Sequence, residues 1–204
     1  GWEDPSSYPS NQVDWEISRI TSMNADPNVR KLPQDYPVNS DDSPITPLMY
    51  NAVGGSTIHW SGHFPRFKPS DFKVKTLDGI AEDFPMSYSD LESYFDTNDS
   101  ITGVAGITGD PANPERSDRQ TNPIPLGTLG EKISKGFDNL GWHWWPSDSA
   151  IITQPFDGRQ ACNNCGPCDI GCSRKAKAST DVTYWPKAIN KGAILKTWSR
   201  VRAV

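Results

Sequence analysis

The 204-residue sequence contains no apolar run approaching the roughly 20 residues that a membrane-spanning helix needs, so it has no transmembrane segment of that kind. Histidine is scarce: His59, His63 and His143 are the only three. Cysteine is absent outside one short run, and no internal repeat is visible. The 20 basic residues are outnumbered by 25 acidic ones, giving a net charge of −5. Because the two signs are interspersed, no basic patch recommends nucleic acid as a partner. No signal peptide is seen, but the chain begins without Met, so this says nothing about compartment. Hydrophobic residues make up only 35%, while 18 Pro, 16 Gly and 8 Trp are present. Such a chain is expected to be loop-rich, with large aromatics supplying much of the burial. At 22.6 kDa it is long enough for a core of its own in one or two domains.

The most informative stretch is Asn51–Gly62. It follows the short apolar run Pro47-Leu48-Met49-Tyr50, which closes a strand or begins a loop. Gly54-Gly55 removes two Cβ atoms in succession, which permits positive φ and lets a flat or anionic ligand approach the main chain. Ser56 and Thr57 add hydroxyls, and His59 and Trp60 add an imidazole and an indole. By residue chemistry alone, this is either a grip for a planar cofactor or a polar turn beside a buried Trp.

Gly54-Gly55-Ser56-Thr57-Ile58-His59-Trp60-Ser61-Gly62, followed by Arg66 and Asp71-Phe72, resembles the flavin-embracing segment of the glucose–methanol–choline (GMC) oxidoreductases. Two further stretches resemble the same family, Phe84–Phe95 and Ala176–Pro186. The His-Trp pair is similar to the sugar, polyol and gluconate dehydrogenase branch and to pyranose oxidases. The resemblance implies an α+β, GMC-type fold, with a substrate domain interleaved with part of an FAD domain. It places Gly54, Gly55, Ser56, Thr57, His59, Trp60 and Gly62 against FAD, and the backbone of Val201 against the adenine. It also implies that the Gly-x-Gly-x-x-Gly turn and the catalytic His lie outside this chain. The chain then reads as the central part of a longer enzyme, with no catalytic residue of its own and no activity alone.

Along the chain, residues 1–47 are polar, with Pro at 5, 9, 27, 33, 37, 44 and 47, and read as an extended excursion. Residues 48–75 form the flavin-contacting segment and 76–160 part of the substrate domain. A Cys-rich loop follows at 161–175, and residues 176–204 return to the FAD domain. Ser89-Asp90-Leu91-Glu92 has capping-box spacing and predicts a short helix with Leu91, Tyr94 and Phe95 on one face. Residues 101–125 read as a Gly/Pro/Asn-rich loop, a candidate lid. A second capping box, Thr128–Glu131, opens the strongest predicted helix. Its stripe is Leu129, Ile133, Phe137 and Leu140, and Gly141 sits at the stop. Extended chain is expected at 142–146 and a strand near 149–154. A helix is expected from Ser179 or Thr180 to about Asn190, with Pro186 kinking or shortening it unless it lies near an end. A final strand is expected at 193–204.

All four cysteines lie in one run: Cys162, Cys165, Cys168 and Cys172, at spacings of two, two and three residues. This is the iron–sulfur spacing of ferredoxins, although Ser173 follows where Pro is usual. Structural zinc is one competing reading of the same residues, and two disulfides or four reduced buried thiols holding a loop is another. Some sugar dehydrogenases that this chain resembles carry a cluster-binding Cys group in this region, which implies an iron–sulfur cluster as a second cofactor.

His143 and His63 read as packed or surface residues. His59-Trp60 matches the dipeptide whose His, in pyranose oxidases, is bonded to the flavin; packing against the flavin without a bond is the alternative. The reading is an FAD-dependent oxidoreductase part acting on CH–OH groups of a sugar, polyol or sugar acid. Its expected partners are the small-molecule substrate and an electron-acceptor subunit such as a cytochrome, in a periplasmic or membrane-associated setting. Two readings of other classes compete. An electron-transfer or metal-binding module built on the Cys run predicts a cluster without FAD. A disulfide-stapled carbohydrate-binding domain predicts neither chromophore nor free thiols.

Overall fold

The computed structural model describes residues 29–30, 41–44, 49–50, 52–166, 168–199 and 201. Most of the expected excursion at 1–47 therefore lies outside the described residues. The chain divides into two compact units that interleave in sequence. The first comprises Gly1–Trp60, Gly166–Ser173 and Ser179–Val204; the second comprises Ser61–Cys165 and Arg174–Ala178.

In the first unit, β1 (Val29–Arg30) pairs antiparallel with β2 (Met49–Tyr50), so the apolar run ends as a strand. A 3₁₀ turn, Gly55–His59, follows and buries Ile58. A second 3₁₀ turn spans Cys168–Ile170. The helix expected from Ser179 or Thr180 begins later, as Tyr184–Asn190. Pro186 is then its third residue, where the missing N–H is one that a helix start leaves without an intrahelical partner. Residues 179–183 form the preceding turn, with Thr183 N and Oγ1 both donating to Ser179 O. The expected final strand is not formed at 193–199 or 201, and its remaining residues lie outside the described set.

The second unit carries three helices: α1 (Val74–Asp78), α2 (Tyr88–Thr102) and α3 (Gly127–Leu140). The helix of the first unit, later in the chain, is α4. The expected short helix at 89–95 is a full α2 of 15 residues, and its cap is displaced from the predicted box. Ser87, not Ser89, is the cap, and its N–H and hydroxyl donate to the Asp90 carboxylate at 2.9 and 2.7 Å. Both Ser87…Asp90 and Ser89…Glu92 have the required spacing. Only Ser87 is extended, with φ of −100° and ψ of 166°, whereas Ser89 already lies inside the helix.

The predicted strand near 149–154 is the centre of this unit but forms only isolated bridges. Ser149 pairs with Ala105 and with His63, and Ile151 pairs with Lys177. Ala150 N donates to Gly62 O, Ile152 N to Ala176 O and Ala178 N to Ala150 O. The core around it is Phe72, Tyr88, Val104, Ala105, Ala150 and Ile152. Among the described residues the chain is mostly helical with few strands, which does not conflict with part of a GMC-type fold but does not confirm the α+β expectation.

Candidate functional site

The Gly-rich turn is assembled within the first unit from two distant pieces of chain. Gly54 and Gly55 both take positive φ, 99° and 55°. Gly55 N donates to Ala52 O at 2.9 Å. Gly54 O accepts from Thr57 Oγ1 at 2.6 Å and from Thr180 Oγ1 at 3.1 Å. Thr180 N donates in turn to Thr57 Oγ1 at 3.0 Å. Each hydroxyl has one proton, and both are directed at Gly54 O, so the 3.2 Å separation of the two hydroxyl oxygens is a contact of already engaged groups.

The two glycines face different surroundings. A Cβ on Gly54 would lie 3.0 Å from Asp181 Oδ1 and 3.2 Å from Ile58 Cγ1, so that side is packed. Among the described residues, a Cβ on Gly55 would meet nothing within 4 Å. Among the described residues the turn therefore has a filled back and an open front, which fits a flat cofactor lying along the main chain. Ser56 is exposed beside it.

His59 is half-buried, in edge-on contact with Tyr50 at 4.2 Å between ring centres. Its Nδ1 lies 3.0 Å from Asp169 O. A carbonyl can only accept, so Nδ1 carries the proton, and in the neutral ring Nε2 keeps the lone pair. Trp60 is half-buried. Gly62 belongs instead to the second unit, where a Cβ would stand 2.7 Å from Ile151 Cγ1. Val201 is exposed.

The four cysteines are free thiols. Cys168 and Cys172 fall in the first unit, Cys162 and Cys165 in the second. Among the described residues, no group of three or more His, Cys, Asp or Glu is gathered as a metal site.

A charged assembly in the second unit was not foreseen from the sequence. Arg66 Nε donates to Asp99 Oδ2 at 3.0 Å, and its Nη2 bonds both Asp96 and Asp99. Arg119 holds Asp148 in a two-pronged fork, Nε to Oδ1 at 3.0 Å and Nη2 to Oδ2 at 2.7 Å, while its Nη1 reaches Asp99 at 3.1 Å. Arg116 Nη1 adds a third bond to Asp148 at 3.0 Å. Burial works to lower the Arg66 pKa, but hydrogen bonds to Asp96, Tyr88 and Asp99 raise it well above the ordinary value. Burial likewise pushes the Asp96 carboxyl up, and the bonds from Arg66 and Ser117 more than reverse it, leaving it low. A cleft of about 240 Å³ opens here, lined by Arg66, Lys68, Arg116, Arg119, Trp145 and Asp148. Its arginines are already engaged by carboxylates, so the assembly reads as a structural brace. His143 pairs with Asp110 at 2.8 Å and stacks on Trp145, and the exposed His63 shares a 3.1 Å hydrogen bond with Ser147 Oγ.

Thr180, Asp181 and Asp169 are the residues of the first unit's site that sequence reasoning did not single out. The signal available for two of them was the Ala176–Pro186 stretch, which carried the family resemblance without an assigned role.

No protein-family model matches the chain. Comparison with known proteins nonetheless bears out the resemblance stated above: the chain is a relative of the glucose–methanol–choline oxidoreductases, on the side of enzymes named for sugars and polyols. It is 43% identical over 207 residues to 2-methyl-1,2-propanediol dehydrogenase of Mycolicibacterium austroafricanum, a match covering all of this chain and 37% of that protein. It is 34% identical over 126 residues to the fructose dehydrogenase large subunit of Gluconobacter japonicus, covering 58% of this chain and 23% of the relative. To the gluconate 2-dehydrogenase flavoprotein of Pantoea cypripedii it is 26% identical over 166 residues, covering 66% and 27%. The chain thus spans between about a quarter and two-fifths of the length of these relatives.

Proposed function

We propose that this chain is part of an FAD-dependent oxidoreductase that acts on a CH–OH group of a sugar, polyol or sugar acid. The observation that carries the reading is the 43% identity to a diol dehydrogenase along the whole chain, coupled to a Gly54-Gly55 turn with one open face. Bound FAD supplies the hydride acceptor for such a substrate. The work of this chain's residues is to hold it. Gly55 offers main chain without a side chain, and Thr57 and Thr180 fix the peptide that presents it. His59, whose Nδ1–H donates to Asp169 O, is the last residue of the same turn. The reading extends to an electron-acceptor subunit such as a cytochrome, in a periplasmic or membrane-associated setting. Its support is that one relative is named as the large subunit of a dehydrogenase. Among the described residues, no helix is long and apolar enough to cross a membrane.

The test is to purify the complete polypeptide and record its absorption spectrum. Reduction of an artificial dye is then assayed with 2-methyl-1,2-propanediol, fructose and gluconate. Flavin bands with dye reduction by at least one of the three are expected. A colourless protein that takes up no added FAD would overturn the reading. Iron and acid-labile sulfide on the same preparation decide whether Cys162, Cys165, Cys168 and Cys172 hold a cluster.

A further inference from the structure

We infer that Thr180 is a positioning residue for the cofactor-facing turn, acting through the Gly54–Gly55 peptide; this rests on the FAD reading above. A peptide unit is planar, so its orientation is set once both its polar ends are bonded. Here the carbonyl end, Gly54 O, is held by two hydroxyls, and the amide end, Gly55 N, by Ala52 O. Ala52 and Thr57 are local and would accompany the turn wherever it moved. Thr180 comes from 126 residues further along the chain, so it alone among these partners ties the turn to a separate piece of backbone.

Its attachment is double. The side chain donates to Gly54 O, and the backbone N–H donates to Thr57 Oγ1, which orients the second hydroxyl toward the same carbonyl. Asp181, the next residue, fills the space behind Gly54. The segment after the Cys run therefore both backs the turn and sets the plane of its central peptide. That plane decides where the open face of Gly55 points. With φ available on either side of zero at two consecutive glycines, the turn has little intrinsic preference of its own. The external clamp supplies it.

The experiment uses the complete polypeptide as apoprotein, with FAD titrated at a temperature well below unfolding. Thr180→Val keeps the side-chain shape and the backbone N–H but removes the hydroxyl. It is expected to weaken FAD binding by about five- to tenfold, the worth of one net hydrogen bond. Thr180→Ser restores the donor and is expected to bring affinity back to within about twofold of wild type. The unfolding midpoint of each apoprotein is measured alongside. A T180V protein that binds FAD as tightly as wild type overturns the inference, even if its midpoint falls, because that pattern is one of fold stability alone. Failure of both T180V and Thr180→Ala to fold would likewise assign the hydroxyl to folding and overturn it. A wild-type protein that takes up no FAD overturns the functional reading together with this one, so the two failures are distinguishable.

Discussion

At the residue scale, the two glycines of the turn separate a packing role from a ligand-facing one. Gly54 has φ of 99° and a filled back, so Gly54→Ala must strain the backbone and displace Asp181 together. A loss of about 1–3 kcal/mol in unfolding free energy is expected. Gly55 has φ of 55°, which an L-residue adopts at a cost of about 1 kcal/mol, and its Cβ would enter open space. Gly55→Ala is therefore expected to fold nearly normally yet lower FAD affinity by about tenfold or more, since the methyl occupies the face offered to the cofactor. Chemical denaturation and FAD titration on the same pair of variants check both halves. Equal effects of the two substitutions on both readouts would contradict the division.

At the scale of elements, local chemistry set the end of α3 but not its start, which is Gly127 after Leu126, so the expected Thr128–Glu131 box is not its cap. α3 stops as its sequence required. Gly141 takes φ of 67°, its N–H bonds Asp138 O at 3.1 Å, and Trp142 N–H bonds Phe137 O at 2.9 Å. The Phe137 and Trp142 rings meet at 5.8 Å across the turn, completing a Schellman closure. Gly141→Ala is expected to cost about 1 kcal/mol, measurable by urea unfolding. The stripe of the same helix is another matter. Leu129 is 72% exposed, Ile133 47% and Leu140 63%, so periodicity identified the face but not a covering for it among the described residues. Leu129→Lys is accordingly expected to change stability by less than about 0.5 kcal/mol.

At the scale of the whole molecule, the second unit depends on charges that are almost fully withdrawn from water. Arg119 is 3% exposed in its side chain and shares Asp148 and Asp99 with its neighbours. Arg119→Met would leave those carboxylates buried with fewer partners, at an expected cost of about 3–5 kcal/mol in unfolding free energy. The assembly also has a pH signature. Burial pushes Asp96 and Asp110 up, but hydrogen bonds prevail and leave both below the usual carboxylate range. Arg66 and Ser117 do this at Asp96; Ala112 N–H, Asn113 and His143 do it at Asp110. A folded pKa below the unfolded one contributes stability above the unfolded value, about 3.9, and loses it as pH falls through the folded value. Asp99, which burial holds above the usual range, works in the opposite sense. The test is therefore the single variant: Asp96→Asn is expected to lose less of its urea midpoint than wild type as pH falls below about 4.

What the sequence by itself determined was whatever depends on neighbours along the chain. Gly54-Gly55 announced a turn of positive φ, Gly141 a helix stop, and the 51–62 stretch a family confirmed by the relatives' names. Near neighbours are linked by a short, stiff backbone, so their geometry follows from residue type. Choices between equivalent local signals were less legible: Ser87 and Ser89 both fit a cap, and the helix is capped at Ser87. Tertiary structure alone decided that Thr180 would reach Gly54, that Asp169 O would orient His59, and that Arg119 would meet Asp148. These contacts join residues from 29 to 126 positions apart. Nothing in an Arg or a Thr marks its distant partner; burial brings the groups together and then requires that each polar atom find one.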